Sequence, residues 1–188
     1  EKHPTWPRLS GALGCANMWG WPQDATWPLV RLAEIHLGHV PVANVAIAGI
    51  RQEAFAWYSQ KTARPVSGLL GPNVLKAFRV QFDYVNNAVY FEQGPEFNWQ
   101  DMDLVGLTLR PEADGRFTVI GIAKWEGTPA VEGVETGDTL LQVDNLQTTG
   151  ATMGAVVDAL RGKPGDVHTL LLERAGKQFK VAAKVYRF

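Results

Sequence analysis

A mainly β protein, in two parts with one main helix in the second, follows from three features of the sequence. Apolar runs have strand length and are closed by turn residues, as in Thr139-Leu140-Leu141-Gln142-Val143 between Gly137-Asp138 and Asp144-Asn145. The clearest helical stripe is Met153, Val156, Val157 and Leu160, spaced i, i+3, i+4 and i+7 within Thr152 to Arg161. Composition also shifts midway: five of the seven Trp precede residue 60, whereas most Gly-Asp turn chemistry follows residue 110.

The chain of 188 residues is long enough for one or two domains with cores of their own. Hydrophobic residues at 46% and charged ones at 20% belong to a globular chain rather than a disordered one. A net charge of −1 gives no electrostatic handle for nucleic acid. No apolar run has the length of a membrane span. Lone Cys15 offers no internal disulfide and reads as a small buried apolar residue rather than a catalytic thiol. The chain begins at Glu1, which suggests a mature or trimmed piece of a longer protein.

In chain order, residues 1 to 24 give little signal. Trp6-Pro7, Trp21-Pro22 and Trp27-Pro28 force extended or turn conformations, and a loop-rich edge accounts for them better than an aromatic cleft. Leu29 to Gly38 reads as a strand and Val40 to Ile47 as its return partner, with a bulge expected at Asn44, where the alternation changes phase. His36 and His39 lie at a strand end and turn without acidic or Cys ligands at useful spacing, so no metal site is expected. Leu69-Leu70 reads as a buried strand stopping at Gly71, and Pro72 starts a short helix with Val74, Leu75 and Phe78 inward. Val80 to Tyr84 turns at Asn86-Asn87 into Ala88 to Phe91. The aperiodic stretch 94–101, containing Gly94-Pro95, marks a linker, with Phe97 and Trp99 docked on one side. This divides the chain into 1–93, 94–101 and 102–188.

In the second part, Leu107 to Arg110 and Phe117 to Ala123 are strands separated by the turn Glu112 to Arg116. Pro129 is expected to open a one-turn helix, with Gly133 and Gly137 at positive φ in the turns that follow. Asn145 is expected to take the left-handed conformation after Val143. Gly162 and Pro164 end the main helix, and Val167 to Arg174 pairs with Gln178 to Val185 around Ala175-Gly176-Lys177.

The run GTPAVEGVETGDTLLQVDN, Gly127 to Asn145, resembles the signature of PDZ domains of the bacterial protease type, G-S-P-A-x-x-A-G-[LV]-x-x-G-D-x-[IL]-[LI]-x-[VI]-[DN]-G. It departs at Thr128, Glu132 and Asn145, and is one residue shorter than the signature between Ala130 and Gly133. The resemblance implies a PDZ β-barrel or sandwich over about 102–188, with one main α-helix. It places Leu104, Val105, Gly106 and Leu107 in the loop that receives a terminal carboxylate on backbone N–H groups, with Leu104 where Gly is common. Leu107, Thr108 and Leu109 would be the strand that accepts a peptide by β-addition, and Met153 and Val157 would face the groove while Val156 and Leu160 face the core. The implied partners are peptides or protein C-termini with an apolar last residue, bound in the order of micromolar. No His begins the helix, so Ser or Thr two positions before the end is not selected. The competing reading is a structural or regulatory appendage whose groove is filled.

The order LGHVPVANVAI, then Leu69-Leu70-Gly71, then Asn73-x-Leu75 and the Val80-to-Phe91 hairpin, resembles the C-terminal half of a retropepsin-like aspartic protease lobe over about 29–91. The lobe is partial. Such enzymes need Asp-Thr-Gly or Asp-Ser-Gly in two copies to share a proton between carboxylates. None of the nine Asp begins that triplet, which is therefore expected upstream of Glu1. Asp83 reads as a strand-end carboxylate capping its hairpin. The chain alone is expected to be inactive, with no catalytic residue, no cofactor and no metal; a parent protein carrying the triplet would be an aspartic endopeptidase. A homodimer through this lobe is possible, and an extracytoplasmic or periplasmic compartment is favoured for the parent.

Overall fold

The computed structural model describes residues 8–10, 28–49, 52–94, 102–125 and 128–188. The protein is mainly β, as its periodicities predict. The Trp-rich stretch 11–27 with Cys15, and the segment 95–101 with Phe97 and Trp99, lie outside the described residues.

In the first part, β1 (Arg8–Ser10), β2 (Pro28–Leu37) and β3 (Val40–Ala48) are consecutive antiparallel strands. Gly38, at φ 61°, sits in the two-residue turn that sets Leu37 opposite Val40. The expected bulge at Asn44 is absent. Leu32 faces Val45 and Glu34 faces Ala43, so no residue is inserted, and the change of phase belongs to which side chains find cover. Val42 and Val45 are the buried ones, packed with Val74 and flanked by Ile35, Leu37 and Phe78.

Helix α1 (Gln52–Thr62) escaped the sequence reading, and α2 (Pro72–Leu75) follows it. Between them Leu69 and Leu70 are not a buried strand. The stretch is irregular and the two side chains are 47% and 38% exposed, because no strand pairs with them among the described residues. Strands β4 (Phe78–Asp83) and β5 (Ala88–Gln93) form a separate two-stranded sheet, with Asn87 at φ 52° in the turn.

The second part runs β6 (Asp103–Leu104), β7 (Leu107–Pro111), β8 (Phe117–Ile122), β9 (Lys124–Trp125), β10 (Thr128–Pro129), β11 (Thr139–Val143), β12 (Leu146–Gln147), α3 (Met153–Ala159), β13 (Val167–Arg174), β14 (Lys177–Lys184) and β15 (Tyr186–Arg187). Its main sheet has the order β14-β13-β11-β8-β7 with β12 beside β11, and it stays open rather than closing as a barrel. A small sheet joins β15 to β6. Strand β9 pairs with both β10 and β1, so the opening of the signature run belongs to the same sheet as the first hairpin.

Two local expectations are corrected here. Pro129 begins no helix: it lies in β10 opposite Lys124, where its missing N–H leaves a sheet edge undisturbed, and turns follow it. The left-handed residue after Val143 is Asp144, at φ 49°, rather than Asn145, and its carboxylate bonds back to Thr169 N–H at 2.8 Å. Gly133 and Gly137 do take positive φ, 76° and 98°. Ala175 and Gly176, both at positive φ, form the two-residue turn between β13 and β14.

One apolar core underlies this sheet. Val105, Leu107, Leu109, Phe117, Val119, Leu140, Val143, Leu170 and Leu172 line it, and α3 closes it with Val156 and Leu160. Thr152 caps α3, its hydroxyl accepting from Ala155 N–H at 3.2 Å.

Candidate functional site

Strand β7 is an outer strand of the main sheet: β8 covers one edge, and the other has no strand partner among the described residues. Ala123 N–H donates to Gly106 O at 2.8 Å, which makes Leu107 and Ile122 a pair whose own backbone groups point away from each other. Leu107 therefore turns its N–H and C=O to the edge without a strand partner, although Leu107 and Leu109 are both buried overall. The extra residue at the register shift, Ile120, lies on β8, so β7 keeps its alternation and Leu109 presents the same edge. Pro111 ends the strand and its supply of donors.

Helix α3 runs opposite in direction to β7, as the bonds at its two ends show. At its end, Leu160 O accepts from Val105 N–H at 3.1 Å, just ahead of β7, and Asp103 O accepts from Gly162 N–H at 3.3 Å. Before its start, Gly150 N–H donates to Gly115 O at 3.0 Å, in the turn after β7. Both ends of α3 are thus tied to the flanks of β7. On the helix, Val156 and Leu160 enter the core, while Val157 is half-buried and Met153 is 39% exposed.

The loop 104–107 is rigidly seated. Gly106 has φ 79°, and a Cβ there would lie 2.9 Å from the Phe188 ring, 3.0 Å from Ala130 Cβ and 3.1 Å from Ala123 Cβ. Side-chain identity therefore matters at this position. Val105 is fully buried and its N–H is spent on α3. Leu104 packs on the small cluster of Ala123, Ala130 and Phe188 instead of standing in the open. Asp103, also buried, receives Arg187 Nη2 at 3.2 Å and so fixes β15 beneath the loop. Thr108 is buried as well, 3% exposed.

The sheet's two outer strands differ. β14 carries exposed Lys177, Lys180 and Lys184, charges that oppose pairing with another strand. β7 carries Leu107, Thr108 and Leu109 and no Lys, and its one charge, Arg110, is paired with Glu112. That contrast is invisible until the strand order is known.

The remaining candidates have structural occupations. Asp83 Oδ1 accepts from Val85 and Asn86 N–H at 3.1 and 3.0 Å, and Oδ2 from the Asn86 amide at 2.8 Å. The Asn86 amide, then its N–H, hold this carboxyl below its usual range. His36 pairs with Glu34 at 2.6 Å on the surface. Among the described residues no three His, Cys, Asp or Glu side chains gather as a metal site, and no helix is long and apolar enough to cross a membrane.

Sequence reading missed two supports of the site. Arg174 spans Asp138, Glu135 and the carbonyl of Gly133. His168 stands between Asp144 and the carbonyl of Arg161. Neither has a local signal, because the partners come together only through the sheet.

No family model matches the chain, and no curated protein is significantly similar to it. Among solved structures, the HtrA-type protease AlgWS227A with decapeptide is similar at 13% identity with a TM-score of 0.43, over 98% of this chain. The chain spans 60% of that structure's length. A likeness at that score shows neither kinship nor shared chemistry.

Proposed function

We propose that residues 102–188 are a PDZ-type peptide-binding domain of the bacterial protease kind, which docks extended or C-terminal segments of substrates or partners. The observation that carries this reading is the edge of β7, which has no strand partner among the described residues and carries no lysine, with a glycine-centred loop ahead of it and α3 tied to its flanks. A peptide added to that edge would meet the outward backbone groups of Leu107 and Leu109. Its last side chain would rest near Met153 and Val157. Its terminal carboxylate would fall at the 104–107 loop, with the N–H of Val105 excluded because α3 uses it.

The first part is read as the C-terminal portion of an aspartic-protease-like lobe in a longer parent. No Asp of this chain begins an Asp-Thr-Gly or Asp-Ser-Gly triplet, and Asp83 is engaged by its own turn. The chain by itself is therefore proposed to bind peptides and not to cut them. Turnover of an unstructured peptide at acid pH, abolished by Asp83→Asn, would contradict that.

The docking surface is tested by ¹H–¹⁵N spectra of the chain titrated with a short peptide ending in Val. Shifts concentrated at residues 104–109 and 153–157 are expected. Shifts confined to β14, or absent altogether, would remove β7 as the docking edge.

A further inference from the structure

His168, on β13, stands at the far side of the loop's support. Its Nδ1 lies 2.6 Å from Asp144 Oδ2 and its Nε2 lies 3.0 Å from the carbonyl oxygen of Arg161. The Asp144 carboxylate is fixed by Thr169 N–H, 2.8 Å from Oδ1, and Asp144 N–H in turn donates to Thr169 O at 2.8 Å. A carbonyl oxygen only accepts, and an ionised carboxylate only accepts. A neutral imidazole has one N–H and can serve one of them; the imidazolium has two and serves both.

Arg161 is the residue through which this pair reaches the site. It follows the last turn of α3 and forms an isolated antiparallel bridge with Leu104, the first residue of the loop. The neighbouring bond, Val105 N–H to Leu160 O, ties the next loop residue to the same turn. A continuous path thus runs from Asp144 through the His168 ring to the Arg161 carbonyl and on to Leu104 and Val105.

We propose that His168 is a positioning residue of the 104–107 loop, holding it through Arg161 in its doubly protonated form. The proposal rests on the peptide-docking reading for its consequence, which is that a peptide carboxylate is held more tightly when the imidazole is doubly protonated. Other charged groups lie on the neighbouring segments: the Arg161 guanidinium with its Asp158 partner, Lys163 and Asp166 on the turn before β13, and Lys184 of β14, opposite Val167. The Asp144 side chain contacts the ring directly.

The test uses the whole chain. ¹H–¹⁵N spectra are recorded from about pH 5 to 9, the span in which imidazoles change charge, with the ring signals of His168 followed in parallel. The amides of Val105 and Arg161 are expected to shift in step with the His168 ring and to lose that step in His168→Gln. In a second arm, an acetylated pentapeptide ending in Val is titrated at both ends of the range. Affinity is expected to fall about fivefold on the basic side and to stay level in His168→Gln. Loop amides that ignore the His168 ring, or a pH dependence that survives His168→Gln, overturn the proposal. Loop amides that follow the ring while no peptide binds at any pH would uphold His168 as the strut and sink the peptide reading instead.

Discussion

Arg174 closes a two-pronged ion pair on Asp138, Nε to Oδ1 at 2.7 Å and Nη2 to Oδ2 at 2.8 Å, across thirty-six positions of sequence. The carboxylate is 1% exposed. The same guanidinium reaches Glu135 Oε1 and Gly133 O, both within 2.9 Å, and lies over the Phe179 ring. Asp138 also accepts from Glu135 N–H, and its carbonyl takes Val119 N–H. One cation therefore pins the turn 133–138 to β13 and β8.

Arg174→Met should leave Asp138 buried with its main counter-ion gone, and the chain should unfold at clearly lower urea concentration. Arg174→Lys should recover only part of the loss, since a lysine cannot form the fork. Equal stability of Lys and Arg in a urea titration would show that geometry contributes nothing.

Acid should weaken the second part through the same carboxylates. For Asp138, burial is the largest influence and pushes the carboxyl up, but Arg174 and the Glu135 N–H outweigh it and hold it below its usual value. For Asp144, the bond to His168 and then Thr169 N–H lower it. A carboxyl lowered in the folded chain contributes stability above its unfolded value, near pH 4, and loses it as pH falls through the folded value. Melting temperature should therefore drop on acidification below about pH 4, and less steeply in Asp138→Asn, which begins from a lower plateau. A Tm that rises with acid would reverse the sign argued here.

Gly106→Ala should destabilise by about 1–3 kcal/mol, the cost of a non-glycine residue held at positive φ, with the crowding against Phe188, Ala123 and Ala130 added. Ala at Gly133, where nothing lies within 4 Å, should meet the φ penalty alone and cost less. Thermal unfolding of the two variants decides the order.

Val156 and Val157 are sequence neighbours with separate roles. Val156→Ala empties a fully buried position and should cost about 1–3 kcal/mol of stability. Val157→Ala should change stability little. It should weaken peptide binding about fivefold, in keeping with two methyl groups lost from a partly covered site. Unfolding curves and binding isotherms on both variants separate the effects.

The main strands of the second part were legible because period and turn residues agree there. Leu140 and Val143 are bounded by Gly137-Asp138 and Asp144-Asn145, and Val156 and Leu160 of the α3 stripe enter the core, where spacing alone would bury Met153 and Val157 with them. Helix α1 was not legible, since Phe55, Trp57 and Tyr58 make no continuous apolar stripe over eleven residues. Leu69-Leu70 misled for the opposite reason. An apolar pair before Gly has the look of a strand, but burial depends on a partner that local sequence does not specify. The open edge of β7, the ties at both ends of α3 and the His168 strut depend on residues distant in sequence, so no motif announces them.

The central claim is that the groove between β7 and α3 receives a chain terminus. It is tested most directly by titrating one Val-ended peptide in two forms, free acid and C-terminal amide, against the chain at a single pH. The account predicts saturable binding of the acid in the order of micromolar, and at least tenfold weaker binding of the amide. Equal affinity for the two forms would contradict it.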